Sequence, residues 1–138
     1  MQLYNISELQ KDVDALMLKI GAPPYFFHLC SSPTDDGRPY ISFDNGQYNY
    51  IISERGYEFS RKVTDSVDEL LYWIIYDFVH SISVEYELEN RVPNRDGRRI
   101  YFCKIVELMN IIKPEWGVKA QEDIDKILQD SPFDDSIY

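Results

Sequence analysis

Residues 39–63 read PYISFDNGQYNYIISERGYEFSRKV, and this stretch decides the fold. Asn45-Gly46 separates two runs rich in β-formers, and that dipeptide suits a two-residue type I′ turn, which needs positive φ at both central positions. The spacing predicts strands over 39–44 and 47–54. In the second of these, Tyr48, Tyr50 and Ile52 fall on one face and Asn49, Ile51 and Ser53 on the other. Arg55-Gly56 starts another turn, and the chain returns over 57–63 with Tyr57, Phe59 and Arg61 on one side. Upstream, residues 25–30 form a short aromatic run ahead of the turn-forming loop 31–37. A β-meander of three or four antiparallel strands is therefore expected over 25–63.

Both flanks read as helical. Ser7 is the expected N-cap of a first helix in which Leu9, Val13, Leu16, Met17 and Ile20 recur at spacings of three and four. Gly21 with Pro23-Pro24 ends it. After the meander, Asp65 or Ser66 caps a long helix over about 66–90, with Asp68 and Glu69 placed at the positive end of its dipole. On a helical wheel Val67, Leu71, Ile74, Ile75, Phe78 and Ile82 share one apolar stripe. A loop over 93–97 leads to a third helix over 98–112, which Lys113-Pro114 stops, and a last helix over about 118–129 gives way to an acidic tail. The expectation is one α+β domain over 1–138. It comprises an N-terminal helix and a small antiparallel sheet packed against three or four helices, with a helical part at 66–129.

The chain has 138 residues, of which 44% are hydrophobic, and disorder is excluded as a description of the whole. Fourteen Lys and Arg against 24 Asp and Glu leave a net charge of −10. Nucleic acid and anionic membranes would be repelled, so neither is expected as a partner, and a basic protein is favoured. Two cysteines are too few for a disulfide framework, and the first residues lack the pattern of a secretory leader. A reducing, cytoplasmic location and a monomer or weak dimer are expected. His28, Cys30, His80 and Cys103 are the candidate soft metal ligands, and they are too scattered in sequence to read as a zinc site. No glycine-rich phosphate loop, nucleophile elbow or zinc-protease helix is present in the sequence. No metal, no cofactor and no catalytic residues are expected. The rival reading is a small ligand-binding or enzymatic domain with a pocket between the sheet and the long helix.

The charge is unevenly spread. Residues 66–90 contain Asp68, Glu69, Asp77, Glu85, Glu87 and Glu89 and no Lys or Arg, whereas Arg91, Arg95, Arg98 and Arg99 follow closely. On the wheel Glu85 and Glu89 extend the apolar stripe, while Glu69, Asp77 and Glu87 point away from it. A carboxylate on a core-facing stripe needs a partner, and the arginines supply bidentate ones. Glu85, Glu89, Arg91, Asp96, Arg98 and Arg99 are thus expected to form an internal ion-pair network. Trp73 and Tyr76 lie off the stripe, on the same side as Glu69 and Glu87, and Asp77 and Glu87 are grouped with them. With Asp134 and Asp135 of the tail they make up the expected partner-binding surface. Tyrosine accounts for 11 residues, a type enriched at protein interfaces.

Several local strings occur together here: Glu54-Arg55-Gly56 before Tyr57-Glu58, residues 68–73 reading DELLYW, and Tyr86-Glu87-Leu88 with Asn90-Arg91. Asp96-x-Arg98-Arg99-x-x-Phe102 and Trp116 complete the set. Over 54–116, near half the chain, this combination resembles the immunity proteins of bacterial polymorphic toxin systems, specifically immunity-protein family sixty-three. The resemblance implies a non-enzymatic inhibitor that binds the effector domain of a cognate toxin and protects the producing cell. A basic nuclease domain is a toxin class that the acidic charge would suit. The resemblance also brings Glu54 and Arg55 into the set of motif residues expected to hold the fold through ion pairs.

Overall fold

The computed structural model describes residues 5–22, 28–34 and 36–137. Its elements run α1 (Ile6–Leu18), β1 (Asp36–Asp44), β2 (Gln47–Glu54), β3 (Tyr57–Thr64), α2 (Val67–Glu89), α3 (Arg98–Ile112) and α4 (Pro114–Asp130), closing on a single 3₁₀ turn at Asp135–Ile137. The architecture is α+β, with a three-stranded antiparallel meander in the order β1-β2-β3 and four helices. Two compact units divide the chain inside α2, Met1–Ile74 and Ile75–Tyr138.

In the first unit the Asn45-Gly46 turn has the backbone that its sequence implies, and the turn at Arg55-Gly56 takes the same form. Asn45 and Gly46 have φ of 53° and 74°, and Arg55 and Gly56 have 52° and 79°, so each pair forms a turn with positive φ at both central residues. The Asn45-Gly46 turn sets Asp44 opposite Gln47 and Ile41 opposite Tyr50, and the second turn sets Glu54 opposite Tyr57. A register shift between Ile52 and Ser53 leaves an extra residue on the β3 side. The central strand is covered on both faces: Tyr48, Tyr50, Asn49, Ile51 and Ser53 are all buried. Strand β3 is an edge, with Tyr57 66% and Phe59 60% exposed.

The first helix is capped two residues earlier than its sequence suggested. Asn5, not Ser7, accepts the hydrogen bond from Glu8 N at 2.9 Å, and Ser7 lies in the first turn. Its buried line is Leu9, Val13 and Met17, an i, i+4, i+8 stripe, with Leu16 and Ile20 half-exposed. The proline pair at 23–24 and most of the aromatic run at 25–30 lie outside the described residues. Of that run, Cys30 makes an isolated parallel bridge to Tyr40.

Ser66 caps α2, accepting from Glu69 N at 3.2 Å, an arrangement legible as Ser-x-x-Glu. In the first unit the start of α2 buries Leu70, Leu71, Tyr72 and Ile74, and Trp73 stacks on Tyr50 at 6.3 Å between ring centroids.

In the second unit the buried line of α2 runs Ile75, Val79, Ser83, Glu87. The expected stripe drifts instead through Phe78 and Ile82, which are only half-buried. The difference arises because two of the four positions actually turned inward are polar, so apolar patterning pointed one residue away. Helix α3 occupies the expected span. Helix α4 begins at Pro114, four residues before expectation, because proline at the first helical position loses no intrahelical bond and its φ is already helical. A single residue, Lys113, therefore joins α3 to α4. The two pack closely enough that a Cβ on Gly117 would lie 2.8 Å from Asn110 Cβ and 2.9 Å from its Cα. Ile105, Leu108, Met109, Ile112, Trp116, Ala120 and Ile124 fill the core of this unit.

Candidate functional site

The densest polar construction lies at the N-terminus of α3, in the second unit. Asp96 precedes the helix and its carboxylate is fully buried. It accepts from Arg98 N at 3.0 Å, a side-chain cap on the new helix, and from Arg98 Nη2 at 2.8 Å and Nε at 3.1 Å. A fourth donor, Asp134 N, comes from the tail at 3.1 Å. The tail returns the exchange, since Asp135 Oδ1 accepts from Asp96 N at 2.7 Å and from Arg99 Nε at 3.0 Å. Arg98 also donates to the carbonyl oxygens of Ser131 and Pro132, both at 2.8 Å. Phe133 completes the seat: the Arg99 guanidinium lies 4.5 Å from its ring centroid.

Charge-assisted hydrogen bonds from Arg98, reinforced by the backbone N–H groups of Asp134 and Arg98, hold the Asp96 carboxyl at about 2 against its own desolvation. The Asp135 carboxyl is likewise lowered, first by Arg99 and then by the Asp96 N–H. Asp134 is lowered through Ser136, whose hydroxyl and N–H it accepts from. Asp96, Arg98, Arg99 and Asp135 thus clasp the end of the chain onto the start of α3.

Beside the clasp, Glu87 is 3% exposed and forms a two-pronged ion pair with Arg91, both contacts at 3.0 Å. Its carboxylate fills the space above Gly97, where a Cβ would meet Oε1 at 2.8 Å. The wheel placed Glu87 outward and Glu85 and Glu89 inward. The structure reverses this: Glu85 and Glu89 are exposed and carry no ion pair among the described residues. Following the inward line Ile75, Val79, Ser83 brings in Glu87 and passes the other two by. Two sequence signals were available for it, the i, i+4 spacing to Arg91 and the glycine at 97.

Glu54 and Arg55 belong to the first unit, where they form the corner between β2 and β3. Both are exposed and neither has an ion pair among the described residues. Arg95 approaches Asp135 at 3.5 Å. Trp73 is half-buried between Tyr50 and Lys62, whose Nζ sits 5.5 Å from its ring centroid. Tyr76 is half-buried, and desolvation, followed by the charges of Asp123 and Asp77, pushes its phenol up to about 12. Asp77 is half-buried, Asp134 is exposed and Asp135 is drawn into the clasp.

The described residues of the second unit line concavities on either side of Arg99. One of ≈ 280 Å³ sits beside Glu87, Asp96 and Gly97. The other, ≈ 440 Å³, is a groove between α3 and α4 with Phe102, Val106, Ile124 and Leu128 on its walls and Phe133 at its end. Among the described residues no three His, Cys, Asp or Glu side chains gather as metal ligands, and no helix is long and apolar enough to cross a membrane. Cys30 and Cys103 are free thiols.

No curated protein and no solved structure matches the chain. A family model described as Immunity protein 63 matches residues 44–126. That stretch takes in β2, β3, α2, α3 and most of α4, with Glu87, Asp96, Arg98 and Arg99 among its residues. It is more than half of the sequence, and with that coverage the chain belongs to the immunity protein 63 family.

Proposed function

We propose that this protein binds the effector domain of a cognate bacterial polymorphic toxin and neutralises it stoichiometrically, in the cytoplasm of the cell that makes both. The family match over residues 44–126 carries this reading. Two physical features support it. The net charge of −10 favours a basic protein partner and disfavours nucleic acid. The cluster at the start of α3 is spent on holding the fold, since Asp96 with Arg98 and Arg99 with Asp135 satisfy one another. Inhibition on this reading is steric and electrostatic, with carboxylates presented where a basic effector would take an anionic substrate. A nuclease domain is the toxin chemistry that fits best.

Co-expression tests the proposal. The C-terminal domain of the toxin encoded beside this chain is induced in a sensitive host, with and without the chain, and the two are then co-purified. Growth restored together with a stoichiometric complex is the expected outcome. Continued killing in the presence of soluble, folded protein would overturn it.

A further inference from the structure

We propose that the groove between α3 and α4 receives an amphipathic helical segment of the toxin, with apolar anchors at i, i+3 or i+4, and i+7 and basic residues at its edges. This rests on the toxin-binding reading above and adds to it the place of contact and the chemistry of the contacting segment.

The shape of the groove argues for a helix. On α3 its lining runs from Arg99 to Glu107, two turns or about 12 Å, and on α4 from Gln121 to Leu128, about 10 Å. A groove lined by two consecutive helices offers a third helix that seat, and its anchors recur over the same two turns. The floor is closed and apolar: Phe102 is 7% and Ile124 2% exposed, and Val106 and Leu128 are half-buried. The volume, ≈ 440 Å³, suits two or three aliphatic or aromatic side chains rather than a whole folded element.

The rim argues for basic flanks. Glu107 stands on the α3 side, its side chain 56% exposed, and its ion pair with Lys104 is a long contact of 3.5 Å. On the α4 side Gln121 donates to Asp125 Oδ1 at 2.9 Å, which fixes a second exposed carboxylate beside the groove. The cation lining it, Arg99, is bound to Asp135 and stacked on Phe133. The clasp thus builds the end wall from the tail and leaves the groove edged by acid. An apolar trough between carboxylates is complementary to a segment with apolar anchors and Lys or Arg beside them.

Cys103 makes the test direct, because it is an exposed thiol on the groove. In a Cys30→Ser chain it is alkylated with a bulky maleimide, and binding of the toxin domain is measured before and after. A control chain, Cys30→Ser/Cys103→Ser/Leu18→Cys, carries the same label on exposed Leu18 of α1. The expected result is at least a tenfold loss of affinity for the Cys103 adduct, none for the control adduct, and an unchanged melting temperature for both. Glu107→Lys, which leaves the floor intact, is expected to slow association several-fold at low salt. Undiminished binding by the Cys103 adduct, or equal loss from both labels, would overturn the proposal. So would a self-association that the Cys103 label abolishes while toxin affinity stays the same, since the occupant would then be a second copy of the chain. If the unlabelled chain captures no toxin domain, the immunity reading falls and this proposal with it.

Discussion

Asp96 shows how one buried carboxylate can set the chemistry of a whole segment. Removing Arg98 would leave that charge buried beside backbone donors only, so Arg98→Ala is expected to destabilise the protein by about 3 kcal/mol. Glu87→Gln, which breaks a buried ion pair, is expected to cost about 1–3 kcal/mol, whereas Glu85→Gln at an exposed position changes stability by less than about 0.5 kcal/mol. Urea unfolding of the three variants checks the order. The pH dependence follows from the lowered carboxyls. Asp96 titrates at about 2 in the folded protein against 3.8 ordinarily, so the unfolded chain takes up its proton first as the medium is acidified. The stabilisation is complete above the ordinary carboxylate range and is lost as pH falls from about 4 towards 2. The stability gap between the parent and Asp96→Asn is therefore expected to be widest near neutrality and to shrink over that window. A gap independent of pH would show that Asp96 is not ionised in the fold. The sequence disclosed half of this site. Asp96, Arg98 and Arg99 read as members of one ion-pair network, and Asp96 does pair with Arg98. Nothing local, however, announces that Asp134 and Asp135 are the other half, because the contact spans 38 residues and an acidic tail ordinarily faces water.

Among the elements, those governed by local chemistry were the most legible. Asn45-Gly46 suits positive φ at both positions and Arg55-Gly56 marks a second turn, which placed both hairpins, whereas the register shifts between Asp36 and Pro39 and between Ile52 and Ser53 have no such local signal. Of the two caps that the sequence offers for α2, Asp65 and Ser66, it is Ser66 that accepts from Glu69 N. Where tertiary packing decides, the reading slipped. The inward line of α2 passes through Ser83 and Glu87, and hydrophobic patterning cannot follow a stripe that is half polar. Pro114 in the sequence signals a stop for α3, yet a proline that ends one helix can open the next, and α4 starts there. The close α3–α4 approach gives a prediction with opposing terms. Gly117→Ala gains about 1 kcal/mol of helix propensity, but its methyl would meet the Asn110 backbone Cα at 2.9 Å, and overpacking costs about 1–3 kcal/mol. Backbone cannot swing aside as a side-chain tip can, so net destabilisation is expected, read as a lowered thermal midpoint.

For the molecule as a whole, the charge of −10 bears on encounter rather than on fold. Steering by opposite charge would lift the association rate with a basic toxin above about 10⁶ M⁻¹s⁻¹ at low salt, and the rate would fall steeply as ionic strength rises. Dissociation would change much less. Stopped-flow association over a salt series checks this, and a rate that ignores salt would point to a neutral or acidic effector. The family membership bears on the kind of partner and leaves the chemistry of the toxin to that experiment.

The tail clasp also has a consequence in time. Asp96 leaves the ribosome 38 residues ahead of Asp134, which at about 5–20 residues per second is a delay of roughly 2–8 s. Throughout that interval the helix cap at Asp96 lacks its last donor, and Arg99 lacks the carboxylate of Asp135. The clasp of the second unit therefore closes late, once Asp134 and Asp135 have emerged. A nascent chain stalled before Asp134 emerges would carry an open clasp, with the Asp96 carboxylate held by Arg98 alone.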